Sequence, residues 1–222
     1  MDADFLIIGG GIAGISAAAR LSGLGSVLLL EAESAFAHHA SGRSAALYEP
    51  HYGAPAVVGL SMASEPDFRA REGVLSPRGL MLVAKADARE AFDHDLEAMA
   101  FEPISVDEAR AIVPILNPEV VALAGHATHA EDIDTDLLLQ GFLREARSRG
   151  AQALTGAKVT GVEKLADGWR VTSAAGTFTG RMLVKAATGV QYARERRDCL
   201  LDASKAVVDF SATKAHILQV SR

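Results

Sequence analysis

The chain has 222 residues, enough for one large domain or two small ones, and 49% of them are hydrophobic, so a sizeable core is expected. A formal net charge of −6 and an aromatic content of 5% argue against a nucleic-acid partner, which would need a basic face and stacking side chains. The single cysteine, Cys199, excludes an intrachain disulfide framework. No apolar run is long enough to cross a bilayer, so we predict a cytoplasmic protein without a transmembrane segment.

The first predicted strand, Phe5–Ile8, is wholly apolar, as expected of a strand buried on both faces of a parallel sheet. It leads into Gly9-Gly10-Gly11-Ile12-Ala13-Gly14, which fits the pattern G-x-G-x-x-G. In that pattern the first glycine permits a tight turn, the second lets the backbone approach a pyrophosphate, and the third lets the next helix pack closely. We predict that helix over about Ala13–Leu24, with the N–H groups of its first turn facing phosphates.

A second apolar run, Val27–Leu30, predicts the neighbouring strand, and Glu31 follows it directly. Glu31 stands 20 positions after Gly11, the spacing expected of a carboxylate that hydrogen-bonds ribose hydroxyls. Such a carboxylate would repel a 2′-phosphate, which argues against NADP. The alternative is a glycine-rich turn that binds nothing, but the strand, turn, helix and acid occur in the order that the motif requires.

The rest of the chain predicts alternating helices and short strands. Helices are predicted at about 56–70, 88–99, 105–112 and 137–149, and strands at 78–84, 120–124, 159–164, 169–173 and 181–184. Ser105 and Glu108 have the spacing of a capping box, and Asp134 or Thr135 is suited to cap the helix that follows. The turn at 166–168 predicts a hairpin between the strands on either side of it.

Six segments carry a resemblance to a known family. They are DFLIIGGGIAGISAA (4–18), VLLLEAE (27–33), HHASGRSAALY (38–48), LSPRG (75–79), DIDTDLLLQGFL (132–143) and VKAATG (184–189). They resemble the amino-terminal half of the D-amino-acid oxidase/dehydrogenase superfamily of FAD enzymes, which includes glycine oxidase-like proteins. Within it, the chain is most similar to the D-arginine dehydrogenase-like branch.

The resemblance implies an α/β fold with two parts. One is a Rossmann-like FAD-binding domain, with a parallel sheet and a G-x-G-x-x-G turn, formed by residues 1–50 and 135–190. The other is part of an inserted α+β substrate domain, residues 51–134, and a non-homologous tail follows at 191–222.

The resemblance also implies non-covalently held FAD and assigns residues to it. The glycine turn would bind the pyrophosphate, and the acid after the second strand would bind the ribose. The residues concerned are Gly9, Gly11, Ile12, Ala13 and Gly14 in the turn, and Glu31 and Ala32 after the strand. The path to the flavin would be lined by Ser41, Gly42, Arg43, Ser44 and Ala45. Further contacts would come from Val159, through its backbone at the adenine, and from a second glycine turn at Ala187, Thr188 and Gly189.

The implied reaction is oxidation of a small-molecule amine or D-amino acid, with hydride transfer to the flavin and re-oxidation by a quinone or oxygen. Tyr52, Tyr48 and His51 are the candidate catalytic residues near the flavin edge. Two positions depart from the D-arginine dehydrogenase branch, because Leu47 replaces a histidine and Gly79-Leu80 replaces an acidic residue. We therefore expect a neutral or apolar amine rather than arginine or lysine.

After Gly189 the resemblance stops, and a tail with an arginine cluster and Cys199 follows. We interpret this as a frameshift or truncation near residues 185–190. Two alternatives to an active FAD enzyme therefore stay open. One is a catalytically inactive nucleotide-binding remnant. The other is an NAD-binding enzyme, against which SGRSAA at 41–46 argues.

A cluster of histidines and acids precedes the helix at 137–149. His126 and His129 have a spacing that metal ligands use, and acids follow at Glu131, Asp132, Asp134 and Asp136. The same residues also fit a polar turn leading into a capped helix, and the resembling family has no metal there. We therefore predict no metal.

Overall fold

The computed structural model describes residues 2–187, which divide into two compact units. One unit holds the residues up to Ser44 together with those from Leu139 onward, and the other holds Ala45–Leu138. In chain order the elements are β1 (Ala3–Ile8), α1 (Ile12–Leu21), β2 (Val27–Leu30), β3 (Leu47–Tyr48), α2 (Pro55–Arg69), β4 (Leu75–Pro77), β5 (Leu80–Ala84), α3 (Arg89–Ala98), β6 (Glu102–Ile104), α4 (Val106–Ile112), β7 (Leu123–Ala127), β8 (Glu131–Ile133), α5 (Thr135–Ser148), β9 (Gln152–Leu154), β10 (Val159–Leu165), β11 (Gly168–Ser173) and β12 (Gly176–Lys185).

The first unit is built on a six-stranded sheet in the order β10-β11-β12-β1-β2-β9. β1 pairs in parallel with both β2 and β12, and β2 pairs in parallel with β9. β10, β11 and β12 form an antiparallel meander at the other side of the sheet. The prediction of a mixed α/β fold with a parallel sheet is confirmed.

β1 and β2 are buried on both faces, as their apolar sequences predict. One face contributes to a hydrophobic cluster made of Ala3, Leu6, Ile8, Leu28, Leu30, Ala157 and Val171. On the opposite face Ile7 and Leu29 are also fully buried, because successive side chains of a strand point to opposite sides. Burial on both faces therefore holds β1 and β2 in the core of the first unit. The turn that follows β1 starts from this buried strand.

The second unit contains two small antiparallel sheets, β3-β8-β4 and β5-β7-β6. α3 packs on β5 and α4 on β7, and each helix buries a single residue, Phe92 and Ala109. The capping box predicted at the start of α4 is confirmed, because Ser105 and Glu108 exchange side-chain-to-backbone hydrogen bonds. None of the 15 residues of α2 is buried, and Val57, Leu60 and Met62 are exposed on it.

Several predicted boundaries were wrong. α1 ends at Leu21 and not at Leu24, which is 77% exposed in a turn. The strand predicted at 120–124 is shifted to Leu123–Ala127, because Val120 closes a turn by donating its N–H to Asn117. The hairpin of β10 and β11 is confirmed, whereas the second hairpin and the full length of β12 were missed.

Asp4 and Ser26 join the starts of β1 and β2. The Asp4 carboxylate Oδ2 accepts hydrogen bonds from the Ser26 hydroxyl at 2.7 Å and the Ser26 N–H at 2.9 Å. These hydrogen bonds to Ser26, together with the charge of Arg181, hold the pKa of Asp4 below its ordinary value of 3.8. A carboxyl with a lowered pKa in the folded state stabilises the fold above its unfolded pKa, and this contribution is lost as the pH falls through the folded pKa.

We therefore expect Asp4→Asn to lower the free energy of unfolding by a constant amount at neutral pH and down to about pH 5. Below about pH 4 the difference from the natural chain should shrink, because the natural carboxyl also becomes neutral there. Urea unfolding at a series of pH values measures this. Asp93→Asn, which removes an exposed ion pair with Arg89, is the matched control, and a difference for Asp4→Asn that is the same at every pH would contradict the prediction.

Candidate functional site

The turn between β1 and α1 is packed so closely that it admits only glycine at key positions. Gly9 has φ of +110°, and a Cβ on it would lie 2.7 Å from the carbonyl oxygen of Ala186. A Cβ on Gly14 would overlap the carbonyl oxygen of Gly9. At Gly11 an added Cβ would meet only the Ser41 hydroxyl, at 3.1 Å. The first and third glycines thus fix the packing of the turn, and the second leaves the backbone open to close approach.

The start of α1 is capped from a distant segment. Its N-cap residue is Gly11, which has no side chain to accept a hydrogen bond, and the Ile12 N–H instead donates to the Ser41 hydroxyl at 3.0 Å. Ser41 lies in a 3₁₀ turn, Ala40–Arg43. The predicted partners Ser41 and Ile12 are therefore adjacent, at a helix end whose N–H groups and dipole favour an anion.

The 3₁₀ turn is held against the glycine turn by backbone contacts. The Ala37 N–H donates to the Gly10 carbonyl at 2.9 Å, and a Cβ on Gly42 would overlap the Ala37 carbonyl oxygen. Arg43, Ser44 and Ala45 follow as exposed residues. The Arg43 guanidinium is thus available to solvent and offers a planar donor fork of the kind that binds phosphate.

Glu31 has a role that the sequence analysis missed. Its side chain is buried at the end of β2. Oε2 accepts the Gly10 N–H at 2.5 Å, and Oε1 accepts the Glu33 N–H at 2.9 Å. Glu31 therefore braces the glycine turn against the segment after β2. Each carboxylate oxygen can accept a further hydrogen bond, so the ribose role stays a prediction beside the brace.

The remaining predicted cofactor residues of this unit lie around Glu31 or the turn. Ala32 is exposed beside Glu31, and Ala157 donates its N–H to the Glu31 carbonyl at 2.7 Å, two residues before Val159 begins β10. Ala187 packs against the hydrophobic cluster of the sheet. The predicted residues Thr188 and Gly189, and the tail at 191–222, lie outside the described residues.

The donor set of this unit fits a dinucleotide. The turn leaves room at Gly11, the helix end and the Ser41 hydroxyl suit a pyrophosphate, and the Glu31 carboxylate suits a ribose hydroxyl. Of the predicted cofactor residues, the structure brings Gly9, Gly11, Ile12, Gly14, Glu31 and Ser41 together around this turn, and the cofactor roles of all of them stay predictions.

The three candidate catalytic residues lie in the second unit. Tyr48 is buried, its ring packs edge-on against Phe68, and its hydroxyl donates to the Ser61 carbonyl at 3.3 Å. Burial raises the pKa of Tyr48 above its ordinary value of 10.0, with the charge of Glu65 adding to the effect. Tyr48 is therefore protonated at neutral pH and cannot accept a proton there. Its catalytic role stays a prediction.

His51 and Tyr52 lie in the turn that follows β3. Tyr52 is 39% exposed, and its N–H donates to the Glu49 carbonyl at 3.2 Å. The His51 ring is held by the buried Glu49 carboxylate, with 3.2 Å between Nδ1 and Oε1. Sequence reasoning missed Glu49, because nothing in its local pattern marks it as buried. The roles of His51 and Tyr52 stay predictions.

The histidines and acids of residues 126–136 do not gather around one point. In residues 2–187 the group of three metal-capable side chains that does form is Glu49, His51 and His129. Asp132 instead pairs with Arg78, and Asp134 accepts the Leu137 N–H at 2.8 Å as the predicted helix cap. Of the histidines and acids at 126–136, His129 joins the group, and His51 joins it from the candidate catalytic residues.

Within residues 2–187, no helix combines the length and the apolar character that spanning a bilayer requires.

The chain matches a family model described as FAD dependent oxidoreductase (DAO) over residues 4–210. Among solved structures it is similar to glycine oxidase from Geobacillus kaustophilus, with 21% identity and a TM-score of 0.70 over 83% of this chain and 55% of that one. It is also similar to L-proline dehydrogenase from P. horikoshii, with 20% identity and a TM-score of 0.72 over 84% of this chain and 53% of the other. For L-alpha-glycerophosphate oxidase from Mycoplasma pneumoniae with FAD bound, the identity is 22% and the TM-score 0.73 over 83% and 54%.

These structures share the fold, and the chain spans about half the length of each. Their names concern amino acids in two cases and glycerophosphate in the third, so the fold is compatible with different substrates. The predicted Rossmann-like FAD-binding fold is confirmed, and so is FAD as the cofactor of the family. The chain belongs to the DAO family of FAD dependent oxidoreductases.

Proposed function

We propose that this chain binds FAD through its first unit and supplies the cofactor side of an enzyme that oxidises a small amine or D-amino acid. The observation that carries the proposal is the hydrogen bond from the Ile12 N–H to the Ser41 hydroxyl at the start of α1. It brings Ser41 of SGRSAA, a motif more specific to the family than the glycine turn is, to that turn.

In this proposal the residues of the first unit have separate tasks. Gly9, Gly11 and Gly14 shape the turn for the pyrophosphate, Ala13 offers its N–H group at the helix end, and Ile12 holds Ser41 there through its own N–H. Ser41 and Arg43 hold phosphate oxygens, and Glu31 holds the ribose hydroxyls. The remaining neighbours of this unit would shape the pocket by their small size or their backbone, namely Ala32, Gly42, Ser44, Val159, Ala187, Thr188 and Gly189. Ala45, the first residue of the second unit, directly follows Ser44 and would do the same. Bound FAD would accept the two electrons removed from the substrate.

The second unit, with residues 51–134, would supply part of the substrate side. We propose Tyr52 as the contact to the substrate, because its ring is accessible, with His51 and Tyr48 as positioning residues. The geometry around Leu47 supports a neutral or apolar amine. Leu47 is paired in the sheet with Asp132, whose carboxylate is neutralised by Arg78 at 2.5 Å, so this acid is not free to hold a cationic substrate.

The electron acceptor in this proposal is a quinone or oxygen, and the proposed location is cytoplasmic, which the single cysteine supports. The alternative is a nucleotide-binding remnant without catalytic activity.

A titration of the purified chain with FAD tests the proposal. We expect bound flavin, detected by its visible absorbance after gel filtration, and bleaching of that absorbance by D-leucine but not by D-arginine in the absence of oxygen. Binding without bleaching by any amine would favour the remnant. Absence of flavin binding by a folded chain, with folding verified by circular dichroism, would overturn both. Equal bleaching by D-arginine would contradict the preference for neutral amines.

A further inference from the structure

A buried carboxylate holds two imidazoles in the second unit. Glu49 follows β3 directly, His51 stands two residues later, and His129 lies in the turn between β7 and β8. The Glu49 Oε1 is 3.2 Å from the His51 Nδ1 and 3.0 Å from the His129 Nε2. The three potential ligand atoms all lie within 4.8 Å of one another.

The Glu49 carboxylate is incompletely satisfied. Its side chain is only 3% exposed, and Oε2 is buried without a hydrogen-bond partner among residues 2–187. The His129 Nε2 lies 2.9 Å from this oxygen, but its hydrogen bond is directed to Oε1. A buried charged oxygen without a partner is costly, and such atoms in folded proteins are normally satisfied by a donor, a water molecule or an ion. This oxygen is aimed into the group that the two imidazoles complete.

We propose that Glu49, His51 and His129 bind one divalent transition-metal ion of the Zn²⁺ type. Ligand atoms bonded to Zn²⁺ at about 2.0–2.2 Å lie roughly 3.3–3.6 Å apart in tetrahedral geometry. The imidazole nitrogens lie 3.2 and 3.0 Å from Oε1, and all three ligand atoms lie within 4.8 Å of one another, so side-chain shifts of about 1 Å bring the three pairs to that spacing. Both rings are 32% exposed, which leaves them room to move.

The ligand types select the class of metal. Two imidazole nitrogens and one carboxylate oxygen suit Zn²⁺ and similar first-row ions, whereas Mg²⁺ and Ca²⁺ prefer oxygen ligands throughout. Three protein ligands leave a fourth position for water. Both imidazoles are 32% exposed, so water from solvent can reach the group.

The metal would join two parts of the second unit that are distant in sequence. Glu49 and His129 are separated by 80 positions, and the turn that contains His51 also contains Tyr52. A metal at this point would hold that turn to the β7–β8 connection. Metal binding should therefore stabilise the fold in addition to occupying the site.

The test uses the full 222-residue chain without an affinity tag, treated with EDTA and then dialysed. Cys199 is replaced by Ser throughout, which removes a competing thiol. Calorimetric titration with ZnCl₂ is expected to give one equivalent bound per chain and a higher melting temperature. Titration with MgCl₂ should give neither effect. Because no FAD is present, the result does not depend on the proposed function.

Three variants assign the ion to this group. His51→Ala, at a partly exposed position, and His129→Ala should each lower the Zn²⁺ affinity by more than about tenfold. Glu49→Gln should do the same while keeping the side-chain volume. His94→Ala, at an exposed histidine of α3, should leave the affinity unchanged.

Absence of Zn²⁺ binding by the parent chain would overturn the proposal. So would an affinity that His51→Ala leaves unchanged, even if the other two variants failed to fold. The Co²⁺-loaded chain provides a further measurement, because d–d absorption bands of tetrahedral intensity are expected from this ligand set. Bands that persist in His51→Ala would assign the ion to another place and contradict the proposal.

Discussion

Gly14→Ala is expected to abolish FAD binding and to destabilise the first unit by about 3 kcal/mol or more. The added methyl group would overlap the carbonyl oxygen of Gly9. The Gly9 oxygen belongs to the backbone and the position of the added Cβ is fixed by the backbone, so no change of side-chain rotamer relieves the overlap. Either α1 must move away from β1 or the glycine turn must open, and both changes displace the helix end at which Ile12 donates to Ser41.

Gly59→Ala is the matched control for this prediction. Gly59 lies inside α2, and a Cβ there would have nothing within 4 Å. Replacing glycine by alanine inside a helix is expected to raise the free energy of unfolding by about 0.5–1 kcal/mol. Urea unfolding and FAD titration of both variants measure the contrast. A Gly14→Ala chain that binds FAD with unchanged affinity would mean that the turn is not packed as the structure describes.

The fold was predictable where a continuous run of apolar residues indicates a buried strand. Phe5–Ile8 and Val27–Leu30 are apolar at every position, and they form the parallel centre of the sheet. β3, β4 and β8 were missed because each has two or three residues and is defined only by its partner. β8 runs through Glu131 and Asp132, whose polar side chains predicted a turn. Such strands are stabilised by pairing with strands that are distant in the sequence, and this pairing cannot be predicted from a single sequence.

The site shows the same division between local and distant information. The glycine turn and Glu31 follow a fixed spacing, and the sequence therefore identified them without a structure. The hydrogen bond from the Gly10 N–H to Glu31 could not be predicted, because the same carboxylate spacing is explained by the ribose alone. The grouping of Glu49 with His129 could not be predicted either, because the two residues are 80 positions apart in the sequence and His129 lies in the turn between β7 and β8.

Glu31→Gln is expected to weaken both the apo fold and the binding of FAD. The carboxylate accepts two backbone N–H groups, one on each oxygen, from Gly10 and Glu33. Glutamine has one acceptor oxygen, so one of these N–H groups would face an NH₂ donor in a buried position. Loss of a hydrogen bond to a buried charged group costs about 1–3 kcal/mol, and this is the expected fall in the free energy of unfolding.

Glu33→Gln makes the same chemical change two residues away and is the control for this last prediction. Its side chain is 39% exposed and pairs with the exposed His39, so the expected change in stability is below about 1 kcal/mol. Urea unfolding of the apo chains measures the brace, and FAD titration measures the ribose contact, for which we expect a loss of about tenfold with Glu31→Gln. The two roles of Glu31 separate in this comparison. A loss of stability with unchanged FAD affinity would leave the brace and contradict the ribose contact, because a carboxylate that holds the cofactor cannot be neutralised without weakening its binding.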